Sequence, residues 1–270
     1  MINRSNFMTA KFENFDINLV QKEVGGGVVT VTQIDKVIKA NPNAKSIIIS
    51  GLKQDTFDYF VNKYGNQFEA ISFWKNKLVS DLTSLGALDT VKYINFFWNQ
   101  KTTSLWNMKG NKNLTGLCIS DFPKLRNINE IETAPVLDFF SIGDAVWAHT
   151  EIESLKPIAR SVVKHFECYA GILDNDYKCL AAGNLIELDM DPTQFTMEEL
   201  AELLSLFPVS LKGTIAKPYV EKGIKDINGT YTKFYFLCKN KRRCIEGKDN
   251  ERFAKYIKEF DELLKKKRLL

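Results

Sequence analysis

Apolar residues recur in one frame, at positions 1, 4 and 6, through the middle of this chain. The stretch Phe68 to Leu78, FEAISFWKNKL, shows it best, with Phe68, Ile71 and Phe73 in the frame, Asn76 at position 9 and Leu78 at position 11. The frames are Ala44-Ile47-Ile49, Phe68-Ile71-Phe73, Val91-Ile94-Phe96, Leu114-Leu117-Ile119, Leu137-Phe140-Ile142, Val163-Phe166-Cys168, Leu185-Leu188-Met190 and Leu206-Val209-Leu211. Their starts lie 24, 23, 23, 23, 26, 22 and 21 residues apart. One such unit is too small to bury its own apolar face, so the units must stack on one another. Positions 4 and 6 lie two residues apart and therefore share one face of a short strand.

This frame resembles the leucine-rich repeat, LxxLxLxxNxL, whose period is about 20 to 29 residues. The likeness runs from Ala44 to about Lys212, and the chain is similar to uncharacterised bacterial leucine-rich repeat proteins. The resemblance implies an α/β solenoid with about eight short parallel strands on a concave face, helical or irregular convex returns, and a cap at each end. Its divisions would be an N-terminal cap at 1–43, repeats at 44–212, and a C-terminal cap with a β-hairpin and a basic helix at 213–270. Position 9 is Asn only at Asn76 and Asn99, and elsewhere is Leu52, Phe122, Ala145, Gly171, Thr193 and Thr214. A regular ladder of buried asparagines is thus mostly absent, and the turns are expected to be irregular.

The segments between frames carry their own signals. Gly25-Gly26-Gly27 reads as a flexible turn, because it has neither the spaced glycines of a dinucleotide loop nor the Lys-Ser/Thr of a P-loop. Thr32 is the expected N-cap of a short helix carrying Ile34, Val37 and Ile38, ended by Asn41-Pro42-Asn43. Asp55 to Lys63 places Phe57, Phe60 and Val61 on one helical face. Thr196-Met197-Glu198-Glu199 is a capping box. The long repeat containing Trp147 and His149 is expected to bulge. Phe234 to Leu237 and Arg243 to Ile245 read as two strands about Lys239-Asn240-Lys241-Arg242. Asp249 is the expected N-cap of a terminal helix with Phe253, Tyr256, Ile257, Phe260, Leu263 and Leu264 on one stripe.

Formal net charge is +4. Residues 1–212 carry 21 Lys and Arg against 25 Asp and Glu, or −4, whereas residues 213–270 carry 16 against 8, or +8. No secretory leader is read in the N-terminal residues, and no apolar run approaches the roughly 20 residues that cross a bilayer. The five cysteines are odd in number and form no CxxC pair, so a reducing, cytoplasmic setting is expected, with no disulfide framework and no zinc site. The sequons at Asn113 and Asn228 read as chance in that setting.

In the repeat, positions 2, 3, 5, 7 and 8 stand on the exposed sheet face or its edge. An aromatic group falls there, Trp74, Tyr93, Phe97, Trp98 and Phe139. An acidic group follows, Asp121, Asp144, Glu167, Glu187, Asp189 and Asp191, with His165 and Tyr169 beside it. Aromatic side chains are enriched at binding hot spots, and an acidic face steers a basic partner. The expected function is a non-catalytic protein-binding module using these residues. The alternatives are an immunity or inhibitor protein against a basic toxin or enzyme, and anion or nucleic-acid binding through Lys239, Lys241, Arg242, Arg243 and Lys265 to Arg268. The plainer reading is that terminal segments cover the aromatics, or that they pack on each other across strands. No metal or cofactor is expected: Glu187, Asp189 and Asp191 alternate on one strand but lack a calcium loop, and Asp174-Asn175-Asp176 reads as a turn. Cys118 and His165 fall two strands apart, too far for a thiolate pair.

Overall fold

The computed structural model describes residues 11–21, 28–146, 149–225, 227 and 229–269. The three-glycine turn, the expected bulge at Trp147 and the sequon at Asn228 lie outside them. The chain forms two compact units, Met1–Asn184 and Leu185–Leu270.

The strands of the large sheet are β1 (Ile17–Leu19), β2 (Ser46–Ile49), β3 (Ala70–Trp74), β4 (Tyr93–Phe97), β5 (Gly116–Ser120), β6 (Phe139–Gly143), β8 (His165–Tyr169) and β10 (Glu187–Met190), in that order and parallel. A short separate ladder pairs β7 (Glu151–Ile152) with β9 (Gly171–Ile172). Helix α1 (Val31–Ala40) precedes β2, α2 (Gln54–Tyr64) follows it, and the four-residue α3 (Lys156–Ala159) precedes β8. Register holds the frames level: Ile71 lies opposite Ile94, Ile94 opposite Leu117, and Leu117 opposite Phe140. Positions 4 and 6 are buried in the first seven frames. Their rings continue the register into the core, Phe73 stacking on Phe96 at 4.6 Å and Phe140 on Phe166 at 5.8 Å. In five successive frames the position 3 amide donates to the position 2 carbonyl of the frame before, as Tyr93 does to Glu69 at 3.1 Å and His165 to Asp138 at 3.0 Å.

The second unit contains β10, α4 (Met197–Ser205), the antiparallel strands β11 (Tyr219–Lys225), β12 (Tyr231–Leu237) and β13 (Cys244–Ile245), and α5 (Asn250–Arg268). Thr196 and Glu199 close the capping box of α4. Tyr256 of α5 is buried, its hydroxyl donating to the Pro218 carbonyl at 2.7 Å and accepting from the Cys238 amide at 3.1 Å.

The expectation of a leucine-rich repeat solenoid capped at both ends is corrected by this arrangement. The fold is mixed α/β, with a large parallel sheet and a small antiparallel sheet. The eighth frame is not a strand: Leu206 ends α4, and Val209 is 81% exposed. Its position 3 is Pro208, which has no amide proton, and the Lys212 amide, four residues on, donates to the Ile186 carbonyl at 3.0 Å instead. Only a single bridge, Lys212 opposite Glu187, remains of the pairing. The eighth strand comes instead from Ile17–Leu19, three residues in a segment with no period. Within the opening stretch, Leu78 is 54% exposed and Val79 is the buried residue. Helix α1 is capped by Thr30, not Thr32, since Gln33 closes a reciprocal box with Thr30. Asp249 likewise makes no side-chain cap; its carboxylate accepts from the Ile245 amide.

Candidate functional site

The face carrying positions 3, 5 and 7 is more buried than the repeat pattern implies. Ser46, Ile48, Ser50, Ala70, Ser72, Asn95 and Cys118 are all buried on it. Phe139 belongs to an apolar cluster with Ala70 and Cys118, and Tyr93 packs against that cluster. Phe97 is buried too, its ring 4.3 Å from that of Trp74. Phe97 and Phe139 are therefore corrected from surface contacts to packing residues. Register explains their burial: Phe97 lies opposite Trp74, whose ring packs on it, and Phe139 lies opposite Gly116, where the absent side chain leaves space that the rings of Tyr93 and Phe139 take up.

Trp74 and Trp98 are half-buried at the ends of β3 and β4. The ring of Phe12, in the turn Phe12–Asn14, meets Trp74 edge-on at 5.4 Å, so an N-terminal segment does cover part of this group. The Lys75 ammonium lies 5.5 Å from both indole rings, and that of Lys77 lies 4.6 Å from Trp98. Such placements hold a flexible lysine near a ring. Asn76 and Asn99 support these strand ends from inside. The Asn76 carboxamide accepts from the Leu52 amide at 2.8 Å and donates to the Ile49 carbonyl at 3.0 Å, and Asn99 donates to the Asn76 and Val79 carbonyls.

Four of the acidic residues accept backbone hydrogen bonds. Asp121 is fully buried, and its Oδ1 accepts from the amides of Ala145 and Val146 at 2.8 and 3.3 Å. Asp144 accepts from the Thr150 amide at 2.8 Å. Asp189 accepts from the Thr214 amide at 2.7 Å, and Asp191 caps the next turn through the Thr193 amide at 2.8 Å. Each is a loop brace. His165 lies 3.6 Å from Asp138. Glu167 lies opposite Ser141, and Tyr169, 52% exposed, lies opposite Gly143, where a Cβ would meet the Tyr169 backbone at 2.4 Å. Glu187, Asp189 and Asp191 belong to the second unit, apart in the chain from the aromatic group.

Cysteine chemistry is muted. Burial pushes the Cys168 thiol up to about 12, and the half-buried Cys179 up to about 11, so neither is a ready thiolate. Cys118 lies opposite Ser141 and His165 opposite Phe139, which leaves β6 between them. No group of His, Cys, Asp and Glu suited to a metal ion occurs among the described residues, and no helix among them is long and apolar enough to cross a membrane. In the second unit, Lys241, Arg242 and Arg243 are exposed, the Arg243 guanidinium lies 4.8 Å from the Phe234 ring, and Lys267 pairs with Glu202 at 3.8 Å.

Sequence columns read only to position 9 miss one feature. Position 10 of three successive frames is Lys53, Lys77 and Gln100, and these side chains line one cleft of about 270 Å³ together with Gln21, Val28, Gly51, Leu52, Lys75 and Leu78. The signal was present in the spacing, one column beyond those that the strand alternation governs.

No protein-family model matches the chain, and no curated protein sequence matches it.

Proposed function

We propose that this protein is a non-catalytic protein-binding module that engages its partner at the edge formed by Trp74 and Trp98. The observation that carries the reading is the pair of half-exposed indoles on neighbouring strand ends, braced from inside by Asn76 and Asn99 and flanked by Lys75 and Lys77. Large aromatic surfaces held rigidly lose little entropy on binding, and Trp is the side chain most enriched among binding hot spots. Because the charge beside the rings is positive and several of the acids brace loops, this reading favours a partner segment bearing carboxylates over the basic partner expected from the sequence.

The double variant Trp74→Ala with Trp98→Ala tests it. Affinity capture with the wild-type chain is expected to retain a protein that the double variant loses by at least tenfold, with the thermal midpoint lowered only slightly. Equal capture by a folded double variant would sink the reading.

A further inference from the structure

The position 10 column points to a ligand site that the tryptophan edge alone does not explain. Lys53, Lys75 and Lys77 line the same cleft of about 270 Å³, joined by Gln21 and Gln100, and no carboxylate among the described residues lines it. Neither Lys53 nor Lys77 makes an ion pair among the described residues. Three lysines on the walls of one cavity bring like charges near one another, and an anion placed between them offsets the repulsion. Two of them are held in place, with Lys75 and Lys77 both against the Trp98 ring. That restraint lowers the entropy lost when a lysine closes on a ligand. The walls are built as firmly as the charges: Leu52 is buried, its amide donating to the Asn76 side chain, and Gly51 adopts φ +70°, where an added Cβ would strike the Gln21 side chain.

We infer that this cleft binds an oxyanion, a phosphate or a carboxylate, held by the ammonium groups of Lys53, Lys75 and Lys77 with amide donors from Gln21 and Gln100. Lysine is suited to this as a compact point charge with three donors. Exposed Leu78 gives the rim an apolar side, so an anion carried on an organic group has a surface to lie against. The site stands on charge placement and does not require the protein-binding reading to hold.

The test titrates the full-length chain at low ionic strength with two probes, inorganic phosphate followed by phosphorus NMR, and a labelled hexaglutamate peptide followed by fluorescence anisotropy. Saturable binding is expected of at least one probe, weakening with added salt. Phosphate alone identifies a free or esterified phosphate as the ligand; the peptide alone identifies protein carboxylates. The variant Lys53→Gln with Lys77→Gln is expected to weaken that binding at least tenfold, while Lys239→Gln with Lys241→Gln leaves it unchanged. Failure of both probes to saturate overturns the inference, and so does unchanged binding by a folded Lys53 and Lys77 variant. Loss of capture by the tryptophan variants reads the other proposal separately.

Discussion

At position 8 the backbone turns left-handed in four successive frames, at Gly51 with φ 70°, Lys75 with 55°, Trp98 with 61° and Asp121 with 59°. Such angles are uncommon for residues other than glycine, and in a bulky residue they are retained only where the surroundings fix them. The amides of Lys75, Trp98 and Asp121 donate to the position 7 carbonyls of the next frame, which supplies that fixing. A left-handed residue also leaves the in-and-out alternation of the strand. This is why an aspartate expected on the surface is buried at 121, and no period in the sequence reports it. The carboxylate there takes the part that Asn76 and Asn99 play one position later. Removing it in Asp121→Ala leaves two amides without an acceptor, and a loss of about 3 kcal/mol is expected in the urea unfolding free energy. Asp121→Asn keeps the Oδ1 acceptor and removes a buried charge, so it is expected to match the wild type or exceed it. An alanine variant as stable as the wild type would show that the carboxylate braces nothing.

Helices α1 and α2 are tied by one carboxylate. Asp35 accepts from the hydroxyls of Tyr59 and Tyr64 at 2.7 Å each and pairs with Lys63 at 3.3 Å. The Tyr59 and then the Tyr64 hydrogen bonds stabilise the carboxylate and lower its pKa to about 2. A folded value below the unfolded one means that the contribution is fully present above about pH 4 and is lost as pH falls towards 2. Asp35→Asn is therefore expected to lower the urea midpoint at pH 7, with the gap from wild type closing between pH 4 and pH 2. A gap that stays constant down to pH 2 would assign the effect to something other than the charged carboxylate. These two helices also show what a sequence discloses at this scale. The span of α2 follows from Phe57, Phe60 and Val61 on one face, because burial imposes the helical period directly. The cap of α1 is not fixed by residue type, because Thr30 and Thr32 are equally able caps, and the choice depends on partners: Gln33 is available to Thr30, whereas Asp35 is engaged by the tyrosines of α2. Seven of the frames were legible for the same reason as α2. In the eighth the pairing moves on to Lys212, whose amide donates to the Ile186 carbonyl and whose carbonyl accepts from the Leu188 amide, and β1 has three residues, too few to carry a period. The lysine cleft lay in a column that no burial pattern marks.

For the molecule as a whole, the boundary between units redistributes the charge. Divided after Lys212, the chain is acidic and then strongly basic; divided after Asn184, residues 1–184 carry 20 Lys and Arg against 19 Asp and Glu, and residues 185–270 carry 17 against 14. The basic tail therefore shares a unit with the acids of 185–212, and Lys267 pairs with Glu202 inside it. A near-neutral unit has little long-range attraction for polyanions, which weakens the nucleic-acid alternative. Each unit also has its own core, Phe73, Phe96, Phe140 and Phe166 in the first, and Leu188, Leu200, Leu203, Ile215 and Phe260 in the second. Separate cores permit separate unfolding, and two-state behaviour is not to be assumed. All four tryptophans, Trp74, Trp98, Trp106 and Trp147, precede Leu185, so their fluorescence reports the first unit alone. Native-state hydrogen exchange across a urea series resolves the second through the amides of β12 and α5. The expectation is that protection in α5 is lost at a different urea concentration from the tryptophan transition. Coincidence of the two, within error and at several salt concentrations, would show a single cooperative body and would require the two cores to be treated as one.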